Sequence, residues 1–185
     1  PAARGNEMPT LKFDFTAGRY HATPTGHHVN EGQIEWPPSP WRILRALVSV
    51  GYTKLGWAGP QPPPVAVALL QKLSAATPRY ALPAAGAAHS RHYMPQARFK
   101  GATEATALVL DTFAHGLVEP LYVEWPVTLS PDEQRLLSEL LAHLSYLGRA
   151  ESWVDAALLD DAPAGVQFNC EPAGCTAARG VDIIQ

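Results

Sequence analysis

The chain has 185 residues, of which 46% are hydrophobic and 17% charged; that is enough apolar material for one packed domain and excludes intrinsic disorder as its main state. Its apolar runs are far shorter than a membrane span, no signal-peptide pattern opens it, and two cysteines, Cys170 and Cys175, are too few for a disulfide scaffold, so a cytoplasmic protein is expected. The net charge of −3 hides a gradient: residues 1–100 carry 11 Lys+Arg against 4 Asp+Glu (+7), and residues 101–185 carry 3 against 13 (−10). Ten of the 14 cations are arginines, whose flat fork grips phosphate with two hydrogen bonds and stacks on rings. Two readings follow from charge alone: an anionic ligand on the basic half, or two halves that neutralise each other when folded.

The chain starts at Pro1; Met8 reads as the natural start, with Pro1 to Glu7 an appended remnant. Leu11 to Phe15 alternates apolar and polar residues, the period of a half-buried strand. A Gly/Pro/Thr/His/Asn-rich loop spans Thr23 to Gly32. Prolines at 37 and 38 forbid a helix before Ser39; Ser39 then caps a helix that Pro40 opens and that runs to about Leu55, with Arg42, Arg45 and Ser49 on one face. A second helix is predicted from Val65 to Ala75. Short strands are expected at Tyr80–Leu82 and His92–Met94, around an Ala/Gly loop, and longer ones at Ala107–Phe113 and Leu121–Trp125. The strongest helix signal spans Pro131 to Leu147: Ser130 caps it, Glu133 completes a capping box, a leucine stripe marks one face and Gly148 sits at its C-cap. Trp153–Leu159 reads as a last strand, and 161–185 as a linker or the start of a second domain. The order strand, helix, inserted helix, strands, helix, strand predicts an α+β, ferredoxin-like βαββαβ domain over 8–160, with an inserted helix and hairpin. Both main helices would then lie on one face of the sheet and leave the other open to a ligand.

His21, His27 and His28 cluster near Glu31, but on a loop and without a companion ligand motif, so they read as polar loop residues; no metal and no cofactor is expected. A metal-independent ribonuclease needs a general acid and base, for which His21 with Arg19 and Tyr20, or His92 with Arg91 and Tyr93, would serve. The spacing equally suits phosphate binding without cleavage. No phosphate-binding glycine loop, Rossmann fingerprint or nucleophile elbow is present, which argues against ATP hydrolysis, dinucleotide redox chemistry and serine hydrolysis. The basic-aromatic clusters, Arg19-Tyr20-His21 and His89-Ser90-Arg91-His92-Tyr93 with Arg98 and Lys100 beyond, suit single-stranded RNA: arginines hold phosphates while rings stack on bases.

Four segments together carry a resemblance: Gly18–Ala22, Glu35-Trp36-Pro37-Pro38-Ser39-Pro40-Trp41-Arg42 continuing to Leu47, Ser90–Pro95, and Tyr146–Trp153. Over Leu11 to Leu159 the chain resembles a subunit family of the type I-U (I-G) CRISPR effector, or Cascade. That family looks like a fusion of the subunit holding the 5′ handle of the CRISPR RNA with the endonuclease that matures it, both of the repeat-associated superfamily of RRM-like domains. Its members continue beyond this chain's length, so the chain corresponds to the handle-holding half, without the endonuclease half. The resemblance implies handle contacts at Arg19, Tyr20, His21, Arg91, His92, Tyr93, Arg98 and Lys100. It also implies RNA or an acidic neighbour at Arg42 and Arg45, and an RNA-proximal loop at Arg149, whose structural alternative is pairing with Glu151. Trp36, Trp41 and Trp153 read as core or interface residues. The implied partners are the handle and the backbone and large subunits of the complex, with no membrane. The alternatives are a crRNA-processing endoribonuclease using His21 and His92, and a purely architectural scaffold working through its acidic half.

Overall fold

Leu11 and Phe13 alternate with Lys12 and Asp14, so one side of this segment must leave water. The computed structural model describes residues 8–100 and 103–172, and in it the segment is strand β1 (Thr10–Asp14), with Leu11 and Phe13 fully buried. The chain continues through β2 (Arg19–Tyr20), a 3-10 turn (Val29–Glu31), α1 (Pro40–Thr53), α2 (Pro64–Ser74) and β3 (Arg79–Ala81). Then come β4 (Gly86–Lys100), β5 (Thr103–His115), β6 (Leu121–Glu124), α3 (Pro131–Ala142) and β7 (Asp155–Leu159). The fold is α+β with two antiparallel sheets, ordered β3-β6-β1-β7 and β2-β5-β4. The expected remnant at 1–7, and residues 173–185 with Cys175, lie outside the described residues.

Leu11, Phe13, Leu121, Val123 and Ala156 of the first sheet share one core with Leu47 of α1, Leu69 and Leu73 of α2, and Leu137 and Leu140 of α3. The helices thus cover one side of the strands. On the other side Tyr122, Lys12 and Ala157 sit side by side across three strands and stay partly or fully open to water. Trp125 is fully buried and donates from Nε1 to the Leu73 carbonyl at 2.9 Å, so its one polar group is satisfied inside the core.

Proline at the first helical position and serine before it start two helices where the sequence places them. In α3 the Ser130 hydroxyl accepts from Glu133 N, and the Glu133 carboxylate accepts in turn from Ser130 N at 2.7 Å. The same carboxylate accepts from Lys72 Nζ at 2.6 Å, which ties α3 to α2. In α1 the Ser39 hydroxyl accepts from Arg42 N. Glu35 Oε1 accepts from Ser39 N at 2.9 Å and Arg42 Nε at 2.6 Å, and Glu35 Oε2 from Arg42 Nη2 at 2.9 Å. Arg42 Nη2 also reaches the Thr23 carbonyl at 2.8 Å. The ends of the Glu-Trp-Pro-Pro-Ser-Pro-Trp-Arg run therefore clasp each other across the start of α1, and the Trp36–Pro37 peptide between them is cis.

Two expectations need correction. Helix α3 ends at Ala142, not Leu147: Leu144 and Leu147 stay buried, but from an irregular segment that folds back on 152–154 through Leu147 N to Ser152 O (3.1 Å) and Val154 N to Ser145 O (3.1 Å). A leucine spacing that fits a helix also fits this return, so periodicity alone cannot mark the end. The short strand expected at His92–Met94 is a fifteen-residue strand, because β4 pairs with β5 over nearly its whole length. The described side chains of β4 are almost all exposed on both of its faces, so no apolar/polar alternation announces it. Residues 168–170, early in the segment read as a linker or the start of a second domain, lie against β3: Tyr80 and Cys170 exchange backbone bonds, the Asn169 side chain bonds both Leu82 N and Leu82 O, and the Arg79 guanidinium lies 4.3 Å from the Phe168 ring centre.

The Glu35–Arg42 clasp is expected to show in the pH dependence of stability. Burial alone would raise the Glu35 pKa, but the Arg42 and Ser39 hydrogen bonds outweigh it and hold the carboxyl below its ordinary value. The unfolded chain then binds more protons in that range, so the contribution is complete above the ordinary carboxylate range and is lost as pH falls through the depressed folded value. Glu35→Gln should destabilise the chain by about 2 kcal/mol at neutral pH. The gap to wild type in urea midpoints should close as the solution is acidified; a gap independent of pH would contradict the clasp.

Candidate nucleic-acid interface

The strand pairing of the second sheet decides which predicted residues meet. Paired residues of antiparallel strands share a face, and successive residues alternate. Arg19 pairs with His115, Ser90 with Asp111 and His92 with Val109, which puts Arg19, Ser90, His92 and Asp111 on one face. Arg91 pairs with Leu110 and Tyr93 with Leu108, on the opposite face. The run His89–Tyr93 is therefore split: His92 turns toward Asp111, while Arg91 and Tyr93 look the other way, with Tyr93 68% exposed.

On the first face, His21 follows β2 and is 5% exposed. Its Nδ1 lies 2.6 Å from Glu151 Oε1 and its Nε2 3.8 Å from Asp111 Oδ1. Asp111 also meets Arg149 Nη1 at 3.3 Å and His92 Nε2 at 3.4 Å. Arg19, Ser90 and Phe113 join His21, Asp111 and Glu151 around a cavity of about 280 Å³. Burial pushes the Glu151 carboxyl up, but a backbone amide and the His21 hydrogen bond prevail and hold it below its ordinary value. The result is a polar pocket walled by Arg19, His21, Asp111 and Glu151, beside which His92 and Arg149 also meet Asp111.

Backbone packing holds His21 in place. Arg149 N donates to the His21 carbonyl at 2.8 Å, and His21 N donates to Ser152 Oγ at 2.9 Å. Gly148, at φ +91°, lies so close that a Cβ there would stand 2.5 Å from the His21 oxygen and 3.1 Å from the Tyr20 ring. No side chain fits this approach.

The remaining predicted residues lie elsewhere. Tyr20 is fully buried, packed against Phe15 and Trp36, so its ring is closed to a base. Burial drives its phenol pKa upward, and its hydroxyl has no partner among the described residues. Arg42 is committed to Glu35 and Thr23. Arg45 is exposed on α1, 6.0 Å from the Trp41 ring, and both Trp41 and Trp153 are 62% exposed, not core. The side chains of Arg98 and Lys100, near the tip of β4, fall outside the described residues. His27 pairs with Glu31 at 2.7 Å on the surface. Among the described residues no three His, Cys, Asp or Glu side chains are placed to hold a metal ion.

Asp111 was missed by sequence reading, and its signal was a lone charge inside an apolar strand. The sequence offers Glu151 as a structural partner of Arg149; the fold instead pairs Glu151 with His21 and Asp111 with Arg149. The chain matches no protein-family model and no curated protein.

Gly148→Ala should cost about 1–3 kcal/mol, from the left-handed backbone and the contact with His21. Urea denaturation measures the loss, and faster hydrogen exchange at the Arg149 amide should accompany it. Unchanged stability would mean that this loop is not clamped.

Proposed function

We propose that the chain is the handle-holding half of a type I-U (I-G) CRISPR effector subunit: a ferredoxin-like, RRM-like domain that binds the 5′ handle of the CRISPR RNA and caps the backbone filament. The topology supports the reading. Counting only its own strands in chain order, the first sheet runs 2-3-1-4, with α1 and α2 between its first two strands and α3 between its last two, as a βαββαβ unit requires. The observation that carries it is the β4–β5 ribbon, inserted between β3 and β6, which presents Arg91 and Tyr93 to solvent on one face while Arg19 stands on the other. Arg19 and Arg91 have no ion-pair partner among the described residues, so each offers a free fork to phosphate.

The first-face pocket contributes less to holding RNA than the ribbon does. His21 and Arg149 are held by carboxylates, and a phosphate entering beside Asp111 and Glu151 meets two like charges. A second reading, metal-independent cleavage, draws on the same place, since His21 and His92 both face Asp111.

Anisotropy of labelled single-stranded repeat RNA with the full chain tests both. Binding should fall steeply with salt, and Arg91→Ala should flatten the log-log slope by about 0.7. Tyr93→Ala should weaken binding by roughly 5- to 100-fold through a lost stack. Affinity unchanged in both variants would overturn the ribbon as the RNA contact, and no RNA affinity at all would favour the architectural scaffold. Cleavage of the RNA in chelator, abolished by His92→Gln, would favour the endoribonuclease.

A further inference from the structure

Another cavity, of about 230 Å³ and lined by cations, lies between α1 and the segment that follows α3. Helical spacing brings Trp41, Arg45, Ser49 and Thr53 into one row along α1, with Lys54 at the helix end beside them. His143, Ser145 and Tyr146 form the facing wall, and among the described residues no carboxylate lines the space. Arg42 also reaches it, but two of its nitrogens are spent on Glu35 and Thr23. Arg45 and Lys54 have no ion-pair partner among the described residues. At the rim, Trp41 is 62% and Tyr146 47% exposed, and the Arg45 guanidinium stands 6.0 Å from the Trp41 ring centre.

Lys54 by itself would be accounted for as a cation offsetting the negative end of the α1 dipole. That account leaves Arg45, the open rings and the carboxylate-free wall unexplained. A fork and an ammonium facing hydroxyls match phosphate oxygens, and a flat exposed indole matches the face of a base. An acidic peptide would satisfy the cations and leave both rings in water. The volume is below the roughly 300–1,000 Å³ of sites for drug-sized ligands, so a dinucleotide cofactor does not fit, and a single nucleotide would seat its phosphate inside with its base at the open rim against Trp41.

We propose that this cavity binds a single nucleotide unit, its phosphate on Arg45 and Lys54 and its base against Trp41. The nucleotide is either free or part of an RNA strand; only the second source rests on the RNA-binding reading above. Neither Arg45 nor Lys54 belongs to the β4–β5 ribbon, so the two contacts can be separated by mutation.

The experiment titrates AMP, inorganic phosphate and a short single-stranded oligoribonucleotide into the full chain, following the Trp41 indole resonance, assigned with Trp41→Phe. AMP should shift that resonance, and Arg45→Gln should weaken AMP binding by about tenfold or more. Lys54→Gln provides an independent check; both residues are exposed, and circular dichroism confirms that the variants fold. Competition of the oligonucleotide with AMP at Trp41 would assign the nucleotide to a strand, and AMP binding without such competition would assign it to a free nucleotide. A Trp41 resonance that ignores AMP and the oligoribonucleotide alike, an affinity for AMP no better than for inorganic phosphate, or an affinity for AMP unchanged in both charge variants would overturn the proposal. Loss of RNA binding in Tyr93→Ala with the AMP response intact would leave this cavity standing. AMP silence with ribbon-dependent RNA binding retained would remove this cavity alone.

Discussion

The structure depends on a short clasp between residues 20–22 and 148–152. His21 gives its carbonyl to the Arg149 amide and its own amide to Ser152 Oγ, and the missing Cβ of Gly148 lets the two backbones approach. Buried backbone groups need partners, and here each strand of chain supplies the other's. The clasp joins the two sheets: one side follows β2 of the second sheet, the other precedes β7 of the first. It therefore anchors the root of the long β4–β5 ribbon, since β2 pairs with the base of β5 through Arg19 and Tyr20. The same contact sets the His21 ring between two carboxylates, so the residue with the most catalytic look in the sequence serves the joint.

The charge gradient along the chain resolves into two populations of cations. Lys72 with Glu133 and Arg79 with Glu124 bring basic-half cations onto acidic-half carboxylates, both with N–O distances of 2.6 Å. Arg42 closes on Glu35 within the basic half, and Arg149 on Asp111 within the acidic half. These pairs organise helix starts, a sheet edge and the clasp. Arg19, Arg45, Lys54 and Arg91 are left over, without ion-pair partners among the described residues. Cations neutralised by carboxylates and cations left unpaired are thus both present among the described residues. The unpaired cations fall in separate regions, Arg19 and Arg91 on the second sheet and Arg45 and Lys54 on and just after α1.

The helix starts, the first strand and β6 were legible in the sequence because their causes are local. Ser39-Pro40 and Ser130-Pro131 carry their own capping chemistry, and Leu11 and Phe13 their own alternation. The candidate site was only partly legible. Arg19, His21, His92 and Arg149 do converge, but around Asp111, which sequence reading passed over. Arg91 and Tyr93, adjacent to His92 in sequence, stand on the far face because a strand alternates its side chains.

By itself, then, the sequence determined an α+β chain, the starts of its helices, the apolar side of its first strand and a surplus of arginine in its basic half. Tertiary structure alone decided where α3 stops, how far β4 and β5 pair, that Tyr20 is enclosed, and which carboxylate holds which cation. The reason is physical: caps and alternation involve groups a few residues apart, whereas strand register and ion pairing such as His21 with Glu151 depend on chain segments 130 positions apart that only the folded backbone brings within a hydrogen bond's reach.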